Sequence, residues 1–172
     1  MDDAVAIVAE MNEWAWRRFK NAVHELSDDE IDWRPLPEAN NINVIVRHLR
    51  IESQWHLDSL TRGDVMPSET SAALREQIDA VPFDFEQNLA KLEELFTAFL
   101  DTLRTARVHD VQHRTRTAYA AWPHVPVHFL AYHQAVHTAG HGAQIQTIRN
   151  LYRKTRGEQA LFFPENPTYP DR

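Results

Sequence analysis

The sequence predicts an all-α fold, a single bundle of four long helices, and three observations carry that reading. Four separate stretches repeat apolar residues at three- and four-residue steps, the period of an amphipathic helix. Only four glycines occur in 172 residues, which fits long helices joined with few tight turns. A hydrophobic content of 43% at this length suits one core of useful size, whereas two independent domains would each be very small. The domain is therefore read as residues 1–172, with 158–172 as an extended C-terminal tail.

The first helix is expected from Asp3 to Leu26, with Val8, Met11, Ala15, Phe19 and Val23 on one side. Asp2 and Asp3 put negative charge at its start, where the helix dipole favours it. Ser27-Asp28-Asp29-Glu30 then begins a turn. Trp33-Arg34-Pro35-Leu36-Pro37 cannot continue a helix, because each proline removes a donor and biases the residue before it towards extended geometry. Asn40 and Asn41 are candidate N-caps for the second helix, expected from Asn43 to Leu60 and closed by Gly63. A long linker from Met66 to Pro82 has room for a short helix at Ser71–Ile78.

The third helix opens at Asp84, with Gln87 placed for a capping box, and carries Leu89, Leu92, Phe96, Phe99 and Leu103 at helical spacing. Val108 to Trp122 alternates enough to allow a short strand or an extended excursion. The fourth helix runs from Pro126, which loses nothing in a first turn, to Lys154, and Gly157 ends it. The adjacent Phe162 and Phe163 give the tail an apolar surface to pack on the bundle or on a partner chain.

Several classes of function are disfavoured by composition. The chain has no cysteine, so it has neither a disulfide framework nor a thiolate of its own. A formal charge of -7 argues against a nucleic-acid partner, which calls for a basic patch. No run of about 18 apolar residues is present, so no membrane span is expected. The acidic N-terminus does not read as a signal peptide, and a cytoplasmic location is expected.

The unusual feature is 10 histidines, five of them between His124 and His141. Residues four apart on a helix lie with Cβ atoms roughly 5–6 Å apart, so two histidines at that spacing can chelate one ion. His133, His137 and His141 form two overlapping pairs of this kind. From His133 to His141 the helix drifts by about 80°, so adjacent members share an ion more easily than all three. His128 faces roughly the other way from His137. A third ligand must come from elsewhere, and His48 sits within an otherwise apolar stretch of the second helix. Three protein ligands leave positions open for water or substrate, the catalytic rather than the structural pattern. Nitrogen ligation suits zinc, nickel or iron(II). The plainer account is a pH-sensitive cluster titrating near pH 6.5, but buried imidazoles need a partner for every ring nitrogen.

Three stretches resemble the DinB-like superfamily, which includes bacillithiol and mycothiol S-transferases. Leu26 to Pro35 with Asn40 to Asn43 is similar to the family's segment between its first two helices. Ile45-Val46-Arg47-His48-Leu49 resembles its ligand motif on helix two. His137-Thr138-Ala139-Gly140-His141-Gly142-Ala143-Gln144-Ile145 resembles its HxxxH pair followed by RGQI, with Gly142-Ala143 replacing arginine-glycine. That departure is expected to alter contacts around the ligands or substrate. The resemblance implies an antiparallel four-helix bundle with long crossover connections, a divalent metal on His48, His137 and His141, and a homodimer. It implies His133 as a group lining the cavity, with a 133/137 register as the alternative. It also implies an activity: joining a low-molecular-weight thiol to an electrophile, the metal holding a thiolate nucleophile. A metal-dependent hydrolase and a non-catalytic metal-binding module for stress responses are the alternatives.

Glu52 and Gln144 are the candidate catalytic residues. Glu52, one turn after His48, can take a proton from a histidine or act as a base; the plainer reading is a solvated carboxylate. Gln144 can orient a ligand histidine or a water, or simply bond helix to helix. Trp14 and Trp55 are read as core before pocket lining, His56 as a rim residue, and Trp33 with Pro35 as packing over the bundle end. Arg47 and Arg50 are read as solvated helix charge before anion attractors.

Overall fold

The computed structural model describes residues 3–62, 71–106, 114–116 and 124–161. Helix α1 (Asp3–Val23) buries Val5, Ala9, Ala15, Trp16, Phe19 and Ala22. It stops short of the expected Leu26, and Glu25 takes a left-handed φ of 53° just beyond it. The expected turn at Ser27 is instead a short helix, α2 (Asp28–Asp32). The Ser27 hydroxyl accepts from the Glu30 N–H while the Glu30 carboxylate accepts from the Ser27 N–H at 3.1 Å, a reciprocal capping box. Trp33 then meets Tyr152 edge-on at 5.8 Å, holding the connecting segment against the last helix.

Helix α3 (Ile42–Arg62) is capped by Asn41, whose Oδ1 accepts from the Val44 N–H at 2.9 Å. Asn41→Ala is expected to cost about 1 kcal/mol, measured by urea unfolding, because the first turn of α3 is buried and water cannot replace the cap. The closing role expected for Gly63 lies outside the described residues. Helix α4 (Ser71–Ala80) fills part of the crossover that follows. Arg47 is not solvated charge: it is buried, donates to the Val81 carbonyl at 3.0 Å and lies over the Phe83 ring. Arg50 is half-buried and donates to Asn88 Oδ1 at 2.6 Å. Both arginines therefore tie the crossover and the next helix to α3.

Asp84 caps helix α5 (Phe85–Thr105) by accepting from the Gln87 N–H at 2.9 Å. Strand β1 (Arg114–Arg116) falls inside the stretch expected to be extended and pairs antiparallel with β2 (His124–Pro126), Thr115 opposite Val125. Helix α6 (Val127–Thr155) follows Pro126 directly, and Gly157 takes φ 73° after its end.

The all-α antiparallel bundle with long crossover connections forms, with a particular winding. Helix α1 packs along α6 and α5, and α3 packs along α5 and α6, so α1 faces α3 across the bundle diagonal. Glu13 pairs with Arg104 and Lys20 with Glu93, so α1 and α5 run antiparallel. Asn12 bonds Ala131 and Arg149 reaches Ala22, so α1 and α6 run in the same direction. Helix α3 opposes α6 and parallels α5. The order up, down, down, up requires the α3-to-α5 connection to travel back along the bundle.

The main core stacks Trp16 between Phe19 and Phe96, with centroids 5.3 and 4.6 Å away. Gly142 is buried against α1: a Cβ there would lie 3.3 Å from the Phe19 Cα. Its lack of a side chain therefore serves close helix packing. Trp14 is 39% exposed and lines a surface groove with Ile7, Met11 and Val136, not the core. Half-buried Trp55 packs beside Val125 and Leu130. Among the described residues no helix is long and apolar enough to cross a membrane.

Candidate metal centre

Two rows of side chains at four-residue steps face each other across the α3–α6 contact. Helix α3 presents His48, Glu52 and His56; helix α6 presents His133, His137 and His141. Because the two helices run in opposite directions, His48 meets His137 and His141, whereas His56 meets His133.

The Nε2 atoms of His48 and His137 are 3.1 Å apart, and those of His141 and His137 are 3.0 Å apart. All three rings offer a nitrogen within 4.8 Å of the others. With metal–nitrogen bonds of about 2.0–2.1 Å, a tetrahedral ion wants donors about 3.4 Å apart, so small ring movements would seat one. His48 and His137 keep 16% and 19% side-chain exposure, enough to leave the centre open to solvent.

The far side of two rings is already committed. His137 Nδ1 stands 3.0 Å from Glu52 Oε2, an ion-pair distance, and neither buried atom makes a well-aligned hydrogen bond among the described residues. His141 Nδ1 stands 2.9 Å from Gln144 Oε1. A carboxylate only accepts, so His137 Nδ1 carries the proton, and the amide oxygen of Gln144 imposes the same on His141. In the neutral rings both Nε2 atoms are then lone-pair acceptors facing each other at 3.0 Å. Neither of the two can donate to the other, and His48 Nε2, 3.1 Å from His137 Nε2, can donate to that one alone. A cation would engage all three, and fixing the far nitrogen is how ligand histidines are oriented.

Glu52 is 5% exposed, which overturns the solvated reading. Burial pushes its carboxyl up, but the hydrogen bond from His137 and the surrounding imidazoles of His137, His48 and His56 outweigh that and hold it down at about 2. His56 is 1% exposed, not on the rim, and its Nδ1 bonds Gln134 Oε1. Burial lowers the pKa of His48, His56, His133 and His141, the last also through His137 and His48, and brings His56 and His141 down to about 4. The buried His56, and Gln134 beneath it, were missed by sequence reasoning, although His48, Glu52 and His56 repeat the four-residue step that exposed the α6 row.

These shifts carry a sign. A histidine whose folded pKa lies below its unfolded value of 6.5 leaves the unfolded chain to take up the proton first as pH falls. Its contribution is complete above pH 6.5 and is lost on acidification towards 4. Glu52 adds a loss in the same direction, from its ordinary 4.5 down towards 2. The metal-free protein is therefore expected to hold a flat melting temperature from neutral to mildly basic pH. Below pH 6.5 stability should fall, by up to roughly 1.4 kcal/mol per pH unit for each such histidine, in thermal scans after chelation.

A four-helix bundle that gathers imidazoles from two antiparallel helices around one point defines a class of protein able to hold a divalent ion between α3 and α6. The sequence model of the DinB superfamily matches residues 11–145, and the chain belongs to that superfamily. Its fold is similar to that of YfiT from Bacillus subtilis, described as a probable metal-dependent hydrolase with an unusual four-helix bundle topology. The two superpose with a TM-score of 0.70 at 18% identity, over 92% of this chain and 91% of YfiT. No curated protein sequence matches the chain.

Proposed function

We propose that this protein is a metal-dependent enzyme that joins a low-molecular-weight thiol to an electrophile, with zinc, nickel or iron(II) held by His48, His137 and His141. One observation carries the reading: the facing Nε2 acceptors of His137 and His141, locked in place by Glu52 and Gln144 and met by His48. An ion bound there supplies Lewis acidity, lowering the pKa of a thiol or water at its open positions so that a nucleophile exists near neutral pH.

The chain's own residues supply orientation. Three neutral imidazoles leave the ion's charge uncompensated, which favours an anionic sulfur over a neutral one. Glu52, ionised throughout, fixes and polarises His137 rather than storing a proton. Gln144 does the same for His141 from the exposed side. The cosubstrate must bring the sulfur, since the chain has no cysteine.

The metal-loaded protein is expected to consume monochlorobimane with bacillithiol, mycothiol or glutathione. Lack of turnover with every thiol would overturn thiol transfer. The second reading, hydrolysis, is favoured by the description of YfiT. Turnover of model esters with no thiol added would establish it instead.

We also propose a homodimer, on the exposed apolar residues Ile7, Trp14 and Val136 along the α1–α6 face. Sedimentation giving a monomer of 20.0 kDa would exclude it.

A further inference from the structure

We propose that Glu52, His56 and His133 form a second site for a divalent transition-metal ion, beside the histidine triad and joined to it through the Glu52 carboxylate. The three side chains each offer a donor atom within 4.8 Å of the others. None of the nitrogens involved belongs to the triad, so the second site does not depend on the first being occupied.

The hydrogen bonds around His56 decide which of its nitrogens is available. Gln134 Nε2 donates to Ser53 Oγ at 2.8 Å and reaches Thr138 Oγ1 at 3.5 Å. Those two hydroxyls turn the amide oxygen of Gln134 onto His56 Nδ1, which therefore donates. Neutral His56 is left with a lone pair at Nε2, on the side of the ring away from Gln134. Gln134 is itself 1% exposed, so this orientation is built into the core and does not depend on solvent.

His133 completes the set. Its ring meets that of His56 edge-on, with centroids 5.5 Å apart and planes at 76°. Glu52 turns Oε2 towards His137 Nδ1 and has Oε1 3.5 Å from His48 Nε2, but a carboxylate has about four acceptor positions, which leaves lone pairs for a second partner. Two imidazoles and a carboxylate are the ligand set of hydrolytic zinc and of non-haem iron(II) centres. Magnesium and calcium, which prefer all-oxygen shells, fit it poorly.

Two dications on either side of one carboxylate repel each other, so the sites are expected to fill in order. Chelator-stripped wild-type protein titrated with cobalt(II), followed by visible absorption and elemental analysis, is expected to bind two ions per chain. The second should bind roughly tenfold or more weakly, from like-charge repulsion. A His48→Ala/His141→Ala double variant, in which the triad is dismantled, should keep one ion, and adding His133→Ala should remove it. A double variant that binds no cobalt overturns the proposal. So does a wild type with a single ion that is lost in His141→Ala and kept in His133→Ala, a result that leaves the triad standing. The reverse pattern, loss in His133→Ala and retention in His141→Ala, supports the second site and removes the triad. Circular dichroism checks helix content. If the double variant fails to fold, the wild-type count and its fall by one ion in His133→Ala decide the matter.

Discussion

His141→Ala is expected to weaken zinc or nickel binding by about two to three orders of magnitude, the loss of one of three nitrogen ligands. The metal-free melting temperature should stay where it is or rise slightly. The two halves of this result have different causes. His141 contributes one of the three Nε2 atoms, and its removal leaves two protein ligands, His48 and His137. In the metal-free protein the same ring is a burden of another kind: its Nε2 lies 3.0 Å from the Nε2 of His137, two acceptors in contact when both Nδ1 atoms carry the protons. Alanine removes that burden, and Gln144 is exposed, so its amide finds water. The metal-dependent rise in stability should shrink by about 1.4 kcal/mol for each tenfold loss of affinity. Isothermal titration with zinc, and melting with and without chelator, measure both halves. Unchanged affinity would place the ion away from the triad. His141 is a better choice than His137 for this test, because removing His137 would also strip the buried Glu52 carboxylate of its partner.

Arg149→Met is expected to destabilise the fold by about 3–5 kcal/mol without touching the metal centre. Arg149 is 6% exposed and reaches from α6 to the end of α1. It donates to the carbonyls of Ala22 and His24 at 3.0 Å and of Glu25 at 3.4 Å, and stands 3.4 Å from Glu30 Oε1. The last carbonyls of a helix have no partner within it, so one guanidinium from a neighbouring helix serves as their cap. Methionine fills much of the volume but leaves the carbonyls without their donor and the buried Glu30, whose Oε2 keeps Ser27, without its cation. Urea unfolding should show the loss, with cobalt or zinc affinity unchanged where the protein is folded. Arg149→Lys should recover only part of it, because a single ammonium cannot fork among four acceptors. A loss below about 1 kcal/mol would mean that water replaces the guanidinium at all four oxygens.

Features that depend on neighbours along one helix were legible in the amino-acid order. The apolar period set α1, α3, α5 and α6 to within a few residues, Asn41 and Asp84 marked two of their starts, and the prolines after Trp33 kept the first two long helices apart. The same local geometry singled out the His137–His141 pair, since side chains four apart on one helix must lie together. Short-range competition was harder to read: Ser27 and Glu30 make a capping box, so a helix replaces the expected turn.

What each face meets is set by how the helices pack. A helical period tells which side is apolar but not which helix will cover it or in which direction that helix runs. The antiparallel α3–α6 contact brings His48 to the α6 pair, turns Glu52 from a solvated carboxylate into the buried partner of His137, and sends His56 inward to Gln134. It also buries Arg47 against the returning crossover, and the close approach of α1 to α6 explains the glycine at 142. These are relations between segments distant in the chain, set by how the connections wind the bundle, and no local spacing encodes them.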